Sequence, residues 1–292
     1  MVSARSSALD DQSRQFLAMS PVEKVMLRNQ NRKSLLATVT AVAAVLTAVS
    51  GCSSNSTTDP AQSSAASGQA QRPVPAQIII LRHGEKKDGY ALCNVGQQRA
   101  QALTANYLGR GAQESLFPSG AGPSGFFAIT LHSLELASPA AQSWNLPLIT
   151  YSVVPGDGQT KTQETQQLNQ RTQQAAEEVL TDPRWGGKTV VMSWEHKHIA
   201  NEKLEQEFSG TEVTLRQLLN LDKLSGVPTT WPGTNFDYFW IVDYGNPGSP
   251  IPTKFTSVRQ VFPAPYQAVP SNLWDTPEAL PAGNDCEAPS AG

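Results

Sequence analysis

Two short groups of polar residues have the side chains needed to act on a phosphoryl group: Arg82-His83-Gly84 and Glu195-His196. An arginine guanidinium binds phosphate oxygens through a planar pair of N–H donors and does not lose its charge. A neutral histidine nitrogen is a competent nucleophile near pH 7, and a second histidine can donate to the oxygens of the group being transferred. A glycine lets the backbone come close to a ligand because it has no Cβ. The residue types therefore predict a phosphate-binding, phosphoryl-transferring site.

Each polar group directly follows an apolar segment that predicts a buried strand. Residues 77–81 (QIIIL) and 188–194 (KTVVMSW) are short and β-branched, which is typical of strands covered on both faces of a sheet. Ligands of open parallel sheets bind beyond the carboxyl ends of the strands. We therefore expect both groups to lie at one edge of the sheet.

Strands and helices alternate along the rest of the chain. This alternation predicts an α/β fold with a mostly parallel sheet. We expect a helix to begin at Ser138-Pro139, because proline suits the first turn of a helix. Further strands are predicted at 126–131, 148–154, 236–244 and 255–262, and further helices at 95–108, 162–180, 199–208 and 212–221.

The first 51 residues are predicted to be a signal peptide region. An uncharged run of 16 residues, 35–50, follows Arg28, Arg32 and Lys33 and ends just before Cys52. A basic flank, a modest apolar run and a small-residue exit are typical of a secretory signal, although a buried core helix is the alternative. Its end, VSGC, resembles the lipobox of bacterial lipoproteins, in which the cysteine is lipidated. Because the basic flank lies far from Met1, we expect translation to begin at Met26.

The remaining chain divides into three parts. Residues 52–76 are predicted to be the lipidated Cys52 followed by a disordered tether, since they lack large apolar and aromatic residues. Residues 77–262 form the single folded domain, and the proline-rich residues 263–292 an irregular tail. Acylated Cys52 would hold the protein on a lipid bilayer, which predicts a lipid-anchored protein of the bacterial cell envelope, on the periplasmic face or the cell surface.

Composition excludes several classes of protein. The 292 residues carry a net charge of −3, with 39% hydrophobic and 16% charged residues, as in soluble globular domains. A multi-pass membrane protein, a coiled coil and a collagen-like chain are excluded. Lysine and arginine are dispersed rather than clustered, so we expect no nucleic-acid partner.

Three segments resemble the histidine phosphatase superfamily, the phosphoglycerate-mutase-like proteins, and in particular its small bacterial members with RHGEK and WEH. The segments are IIILRHGEK, LCNVGQQRAQAL and GKTVVMSWEHKHI. The resemblance implies a three-layer α/β/α sandwich and phosphomonoester hydrolysis through a phosphohistidine on His83. It places Arg82 and Gly84 at the phosphate and His196 beside it as the second histidine. It implies a small phosphorylated substrate, no cofactor and no metal.

One feature of that superfamily is missing from the sequence. Its second phosphate-binding arginine corresponds here to Ser138, and no arginine occurs between Arg110 and Arg171. Losing one such donor typically costs 10²–10³ in rate. We expect His132, at the end of the second strand, to take its place. The alternative is a catalytically weakened relative that binds a phosphorylated ligand or a partner.

Four other residues have candidate roles. By the same resemblance the acid that protonates the leaving group would be Glu135 or Glu164, although either could be an ordinary solvated carboxylate. Cys93 and Cys286 are the cysteines left when Cys52 is lipidated. An even pair in an exported protein predicts a disulfide that pins the tail, with two free thiols as the alternative.

Overall fold

The computed structural model describes residues 74–118 and 121–288. The predicted signal peptide region, Met26, Cys52 and the tether up to residue 73 lie outside these residues. The last residues assigned to the tether belong to the folded domain: Val74 is buried, its carbonyl accepts from Gly187, and the Ala76 N–H donates to Lys188. The tether boundary predicted at residue 76 is therefore too late, because backbone hydrogen bonds already hold residues 74–76.

Six strands form one sheet. The strands are β1 (Gln77–Arg82), β2 (Gly125–Ala128), β3 (Leu148–Thr150), β4 (Thr189–Trp194), β5 (Tyr238–Asp243) and β6 (Lys254–Arg259). Their order in the sheet is β3-β2-β4-β1-β5-β6. The four strands β3, β2, β4 and β1 run parallel, whereas β5 and β6 pair antiparallel at one side. The predicted mostly parallel sheet is thus confirmed.

Helices cover both faces of this sheet. The helices are α1 (Asn94–Leu103), α2 (Leu131–Ser143), α3 (Lys161–Thr181), α4 (His196–Ile199), α5 (Glu202–Glu207) and α6 (Leu215–Leu218), and α1 continues as a π-helical turn (Thr104–Leu108).

Strand β1 is buried on both of its faces. Ile78 and Ile80 point into a core shared with α3, whereas Ile79 and Leu81 point into a second core shared with α1 and α2. Burial of β1 on both faces explains its continuous apolar sequence and confirms the three-layer α/β/α architecture. No helix among the described residues is both long and apolar enough to cross a membrane.

The central strands end side by side. Arg82 at the end of β1 pairs with Trp194 at the end of β4, and the His83 N–H donates to the Trp194 carbonyl. The residues that follow both strands therefore leave the sheet at the same point, as the sequence predicts. β2 adjoins β4 and delivers the start of α2 to the same edge.

Helix α2 begins eight residues earlier than predicted, at Leu131 instead of Pro139. The Thr130 hydroxyl caps it by accepting from the Ser133 N–H, so the helix starts at Leu131 and Pro139 lies inside it. Proline inside a helix removes one hydrogen bond and usually breaks or bends the helix. The prediction of a start at Ser138-Pro139 is wrong because the cap and the packing of Leu136 and the alanines behind it outweigh this cost.

The tail is irregular but attached to the domain. Residues 263–288 contain no helix or strand, yet Val269 is buried in the core beside α1 and α2. The predicted disulfide is present: Cys93, just before α1, is bonded to Cys286, with their Cα atoms 5.0 Å apart. The bond closes a loop across 193 residues and fixes the end of the tail.

Candidate active site

A cleft of about 350 Å³ opens at the carboxyl ends of β1, β2 and β4. His83, His132 and His196 meet there: the His83 ring centroid lies 5.8 Å from that of His132 and 6.4 Å from that of His196. The fourth histidine, His198, also lines the cleft, although its position after the EH pair indicated only the start of the next helix. The remaining lining residues are Lys86, Gly89, Thr130, Leu131, Val153, Pro155, Lys161, Glu164, Thr165, Leu168, Glu195 and Lys197.

His83 is held as a neutral imidazole with one nitrogen free. Its Nδ1 lies 2.7 Å from the Gly84 carbonyl oxygen, an acceptor, so Nδ1 carries the proton. Nε2 therefore keeps its lone pair. Burial, and next the positive charge of Arg82, lower the pKa of His83 well below its usual value. A buried, neutral imidazole with a free Nε2 is the form in which histidine acts as a nucleophile.

His196 stands at the start of α4, which Glu195 caps by accepting from the Lys197 N–H. Its Nδ1 lies 2.7 Å from Glu195 Oε1, but this contact is not aligned as a hydrogen bond, and neither ring nitrogen has a hydrogen-bond partner among the described residues. Burial lowers the pKa of His196 despite the nearby carboxylate. Because Nδ1 lies against the Glu195 carboxylate, Nε2 is the buried ring nitrogen that is available to a ligand.

Arg82 lies behind His83, outside the lining of the cleft. Its Nη1 donates to the carbonyls of Gly233 (2.7 Å) and Asn235 (3.0 Å), and its guanidinium carbon lies 3.7 Å from the centre of the Phe236 ring. Burial lowers the pKa of Arg82 to about 10, which leaves the group charged at neutral pH. Its buried Nε has no partner among the described residues, so this N–H is free to bind an anion.

Gly84 packs closely against the core. A Cβ on this residue would lie 3.1 Å from Leu136 and 3.2 Å from Leu92, both side chains of the core. The missing Cβ therefore lets the strand end approach α1 and α2, and the expected contact of Gly84 with a ligand stays a prediction. Its carbonyl oxygen acts indirectly, through Nδ1 of His83.

His132 occupies the first turn of α2. Its Nε2 lies 2.7 Å from the Asp88 carbonyl, and burial lowers its pKa. The first amides of a helix have no acceptor within the helix. The start of α2 therefore presents N–H donors and the positive end of the helix dipole to the cleft.

Ser138 lies two turns further along α2, and its hydroxyl donates to the Leu134 carbonyl, away from the cleft. Ser138 is not among the residues that line the cleft, and its correspondence to the missing arginine stays a prediction.

The two candidate acids lie in different places. Glu164, in the first turn of α3, lines the cleft. Glu135 instead accepts a hydrogen bond of 2.7 Å from the Leu92 backbone and is not part of the lining. Glu85, beside the first motif, is also turned away: it is buried in an ion pair with Arg99.

Lysines are the feature of the cleft that sequence reasoning missed. Lys86, Lys161 and Lys197 all line it, and none forms an ion pair among the described residues. Lys86 and Lys197 lie within three residues of His83 and His196 in the sequence. This closeness to the motif histidines is the sequence feature that could have predicted their place in the cleft. The three lysines make the cleft locally positive in a chain of net negative charge.

Among the described residues of this cleft, one group of side chains could bind a cation. Ligand atoms of His83, Glu195 and His196 lie within 4.8 Å of one another. The expectation that the chain needs no metal and no cofactor stays a prediction.

No family model and no curated protein match this chain. Among solved structures it is similar to native mycobacterial glucosyl-3-phosphoglycerate phosphatase, at 15% identity and a TM-score of 0.34, over 63% of this chain and 98% of that one. The complex of that phosphatase with inorganic phosphate matches at 16% identity and a TM-score of 0.32, over 66% and 99% of the two chains. A further likeness is to mycobacterial hydrolase 2, at 12% identity and a TM-score of 0.32, over 71% and 93%.

The phosphatase among these structures is a member of the histidine phosphatase superfamily, which the RHGEK and WEH segments of this chain resemble. At these identities and TM-scores, the likeness transfers no activity to this chain. Its chemistry has to be inferred from the residues of its own cleft.

Proposed function

We propose that this chain hydrolyses phosphomonoesters through a phosphohistidine formed on His83. The observation that carries the proposal is the hydrogen bond from Nδ1 to the Gly84 carbonyl, which leaves the Nε2 lone pair free. The positive charge of the cleft favours a phosphate ester, and a volume of about 350 Å³ suits a small one.

Hydrolysis takes two steps. Nε2 of His83 attacks phosphorus, and the bond from phosphorus to the ester oxygen breaks, so that the alcohol leaves. Water then attacks the phosphohistidine, the P–N bond breaks, and inorganic phosphate leaves with His83 restored. In the proposed mechanism, Arg82 Nε and the ring of His196 donate to phosphate oxygens as charge develops there, since a bound dianion raises the pKa of a neighbouring histidine.

The leaving alcohol needs a proton, for which we propose Glu164. Glu135 is occupied by the Leu92 backbone. Glu195 is unsuited to donate: burial alone would raise its pKa, but the contacts with His196 and His198 hold the pKa well below its usual value, so the group is ionised. Glu164 is then the remaining carboxyl group in the cleft lining. It gives its proton to the alcohol and receives one from the attacking water.

The missing second arginine favours a second candidate function, a pseudoenzyme that binds a phosphorylated ligand or a partner. In the proposed enzyme, the amides at the start of α2 and the ring of His132 do the work of that arginine. In the pseudoenzyme they would bind phosphate without turnover.

The experiment uses residues 53–292 and p-nitrophenyl phosphate between pH 5 and 8. We expect release of p-nitrophenol by the wild-type protein and none by His83→Ala, with calorimetry of inorganic phosphate binding on both proteins. Equal rates for the two proteins would contradict the mechanism. Phosphate binding without turnover would establish the pseudoenzyme instead.

We also propose that the protein is exported and anchored by lipid on Cys52 in a bacterial envelope. The Cys93–Cys286 disulfide supports this proposal, because such bonds persist mainly outside the cytosol. Full-length protein expressed in bacteria should take up labelled fatty acid and sediment with membranes, and Cys52→Ser should do neither. Unchanged labelling of Cys52→Ser would refute the lipid anchor.

A further inference from the structure

The guanidinium of Arg82 is oriented by a loop distant in sequence. Its Nη1 donates to the carbonyls of Pro232, Gly233 and Asn235, about 150 residues along the chain. Phe236 lies against the same guanidinium and against the His83 ring, whose centroid is 5.7 Å from its own. Loop 232–236 therefore sets the orientation of the Arg82 guanidinium and determines which of its N–H groups remain unpaired. The loop also contacts His83, the proposed nucleophile.

That loop is in turn held by the C-terminal tail. The Asn235 side chain is fully buried, and its Nδ2 donates to the carbonyls of Leu273 (2.8 Å) and Trp274 (3.1 Å). The Glu278 N–H donates to the carbonyl of Thr234. Both donor hydrogens of the Asn235 amide are thus used on the tail, while its backbone carbonyl accepts from Arg82.

We propose that Asn235 is a positioning residue for Arg82, coupling phosphate binding to the docked C-terminal tail. It touches neither the cleft nor a ligand, and acts only through Arg82. Preorganised donors bind an anion better than mobile ones because no ordering cost remains to be met. The Cys93–Cys286 disulfide sits beyond the docked part of the tail and keeps it in place. This inference rests on the proposed phosphate site.

A double-mutant cycle with inorganic phosphate tests this coupling. Isothermal titration calorimetry of wild type, Asn235→Ala, Arg82→Ala and the double variant gives four affinities. We expect Asn235→Ala to weaken phosphate binding about tenfold when Arg82 is present, equivalent to about 1.4 kcal/mol. In the Arg82→Ala background the same change should have no effect, because the residue acts only through that guanidinium. Asn284→Ala, whose amide bonds within the tail itself, is the matched control and should bind phosphate as wild type does.

A second variant covers the case in which Asn235→Ala does not fold. Replacing both Cys93 and Cys286 by serine leaves Asn235 intact but frees the end of the tail. We expect a smaller loss of phosphate affinity, again absent in the Arg82→Ala background.

Equal losses in both backgrounds, or no loss in either, would overturn the inference while leaving the phosphate site intact. If the wild-type protein binds no phosphate, the proposed function itself fails together with the inference.

Discussion

The charge state of His83 decides whether the cleft can form a covalent intermediate. Burial and the adjacent Arg82 favour the neutral ring, since both disfavour a second positive charge at that place. The lowered pKa also makes folding stability depend on pH. Below the usual histidine pKa, His83 takes up a proton in the unfolded chain but stays neutral in the folded chain. Stability contributed by the neutral ring is therefore present above the ordinary pKa of 6.5 and is lost as pH falls below it.

An NMR titration tests this charge state. The four histidine ring signals are followed from pH 8 to 5 in phosphate-free buffer. The chemical shift of the His83 ring should show no titration midpoint near pH 6.5. The spectrum of His83→Gln identifies that signal by its absence. A His83 midpoint at or above 6.5 would show that the ring is accessible to protons and that its environment has been described wrongly.

At the scale of an element, the proposed mechanism gives the role of the missing arginine to the backbone amides at the start of α2 and to His132. His132 lies in the first turn, so a bound dianion can draw a proton onto its ring and receive an N–H in return. His132→Ala should weaken phosphate binding about tenfold, or about 1.4 kcal/mol, at pH 6.5. Ser138→Ala on the same helix is the control, because its hydroxyl bonds only to Leu134. Calorimetry that finds equal affinities for both variants would remove His132 from the site.

The strand-end motifs were predictable because a buried strand has a simple signature. The apolar runs before Arg82 and before Glu195 predict two neighbouring strands of the sheet. They also predict that the polar residues following the two strands meet at one edge of that sheet. The start of α2 was not predictable in the same way, since Pro139 outweighed the weaker capping signal of Thr130. Contacts between distant parts of the chain, such as those of Arg82 with loop 232–236, leave no periodic pattern in a single sequence.

At the scale of the whole molecule, the tail completes a buried ionic cluster behind the cleft. Arg99 makes two hydrogen bonds through Nε and one through Nη2 to Glu85, and its Nη2 lies 2.9 Å from carboxylate oxygens of both Asp237 and Glu278. Three carboxyl groups around one guanidinium leave an excess of negative charge. Burial, together with the charge of Glu85, raises the pKa of Glu278 to about 10, so that this group stays protonated.

The proton on Glu278 predicts a stability that depends on pH. Between about 4.5 and about 10 the folded chain holds a proton that the unfolded chain has lost. The free energy of unfolding should therefore fall as pH rises, by up to about 1.4 kcal/mol per pH unit from this group. Urea unfolding at pH 6 and pH 9 measures this fall.

Glu278→Gln mimics the protonated acid and should lose most of that pH dependence, becoming more stable than wild type at pH 9. Glu287→Gln, an exposed position on the same tail, is the matched control and should behave as wild type. If Glu278→Gln keeps the full pH dependence, the proton resides elsewhere in the cluster.

The central claim, a phosphohistidine on His83, is tested most directly by trapping it. Protein mixed with a phosphomonoester is quenched within milliseconds in alkali, in which phosphohistidine survives, and its peptides are sequenced by mass spectrometry. We predict up to one phosphoryl group per chain, lost on acid treatment and located on His83. Turnover without any trapped phosphoryl group, or with the group on another residue, would contradict the mechanism.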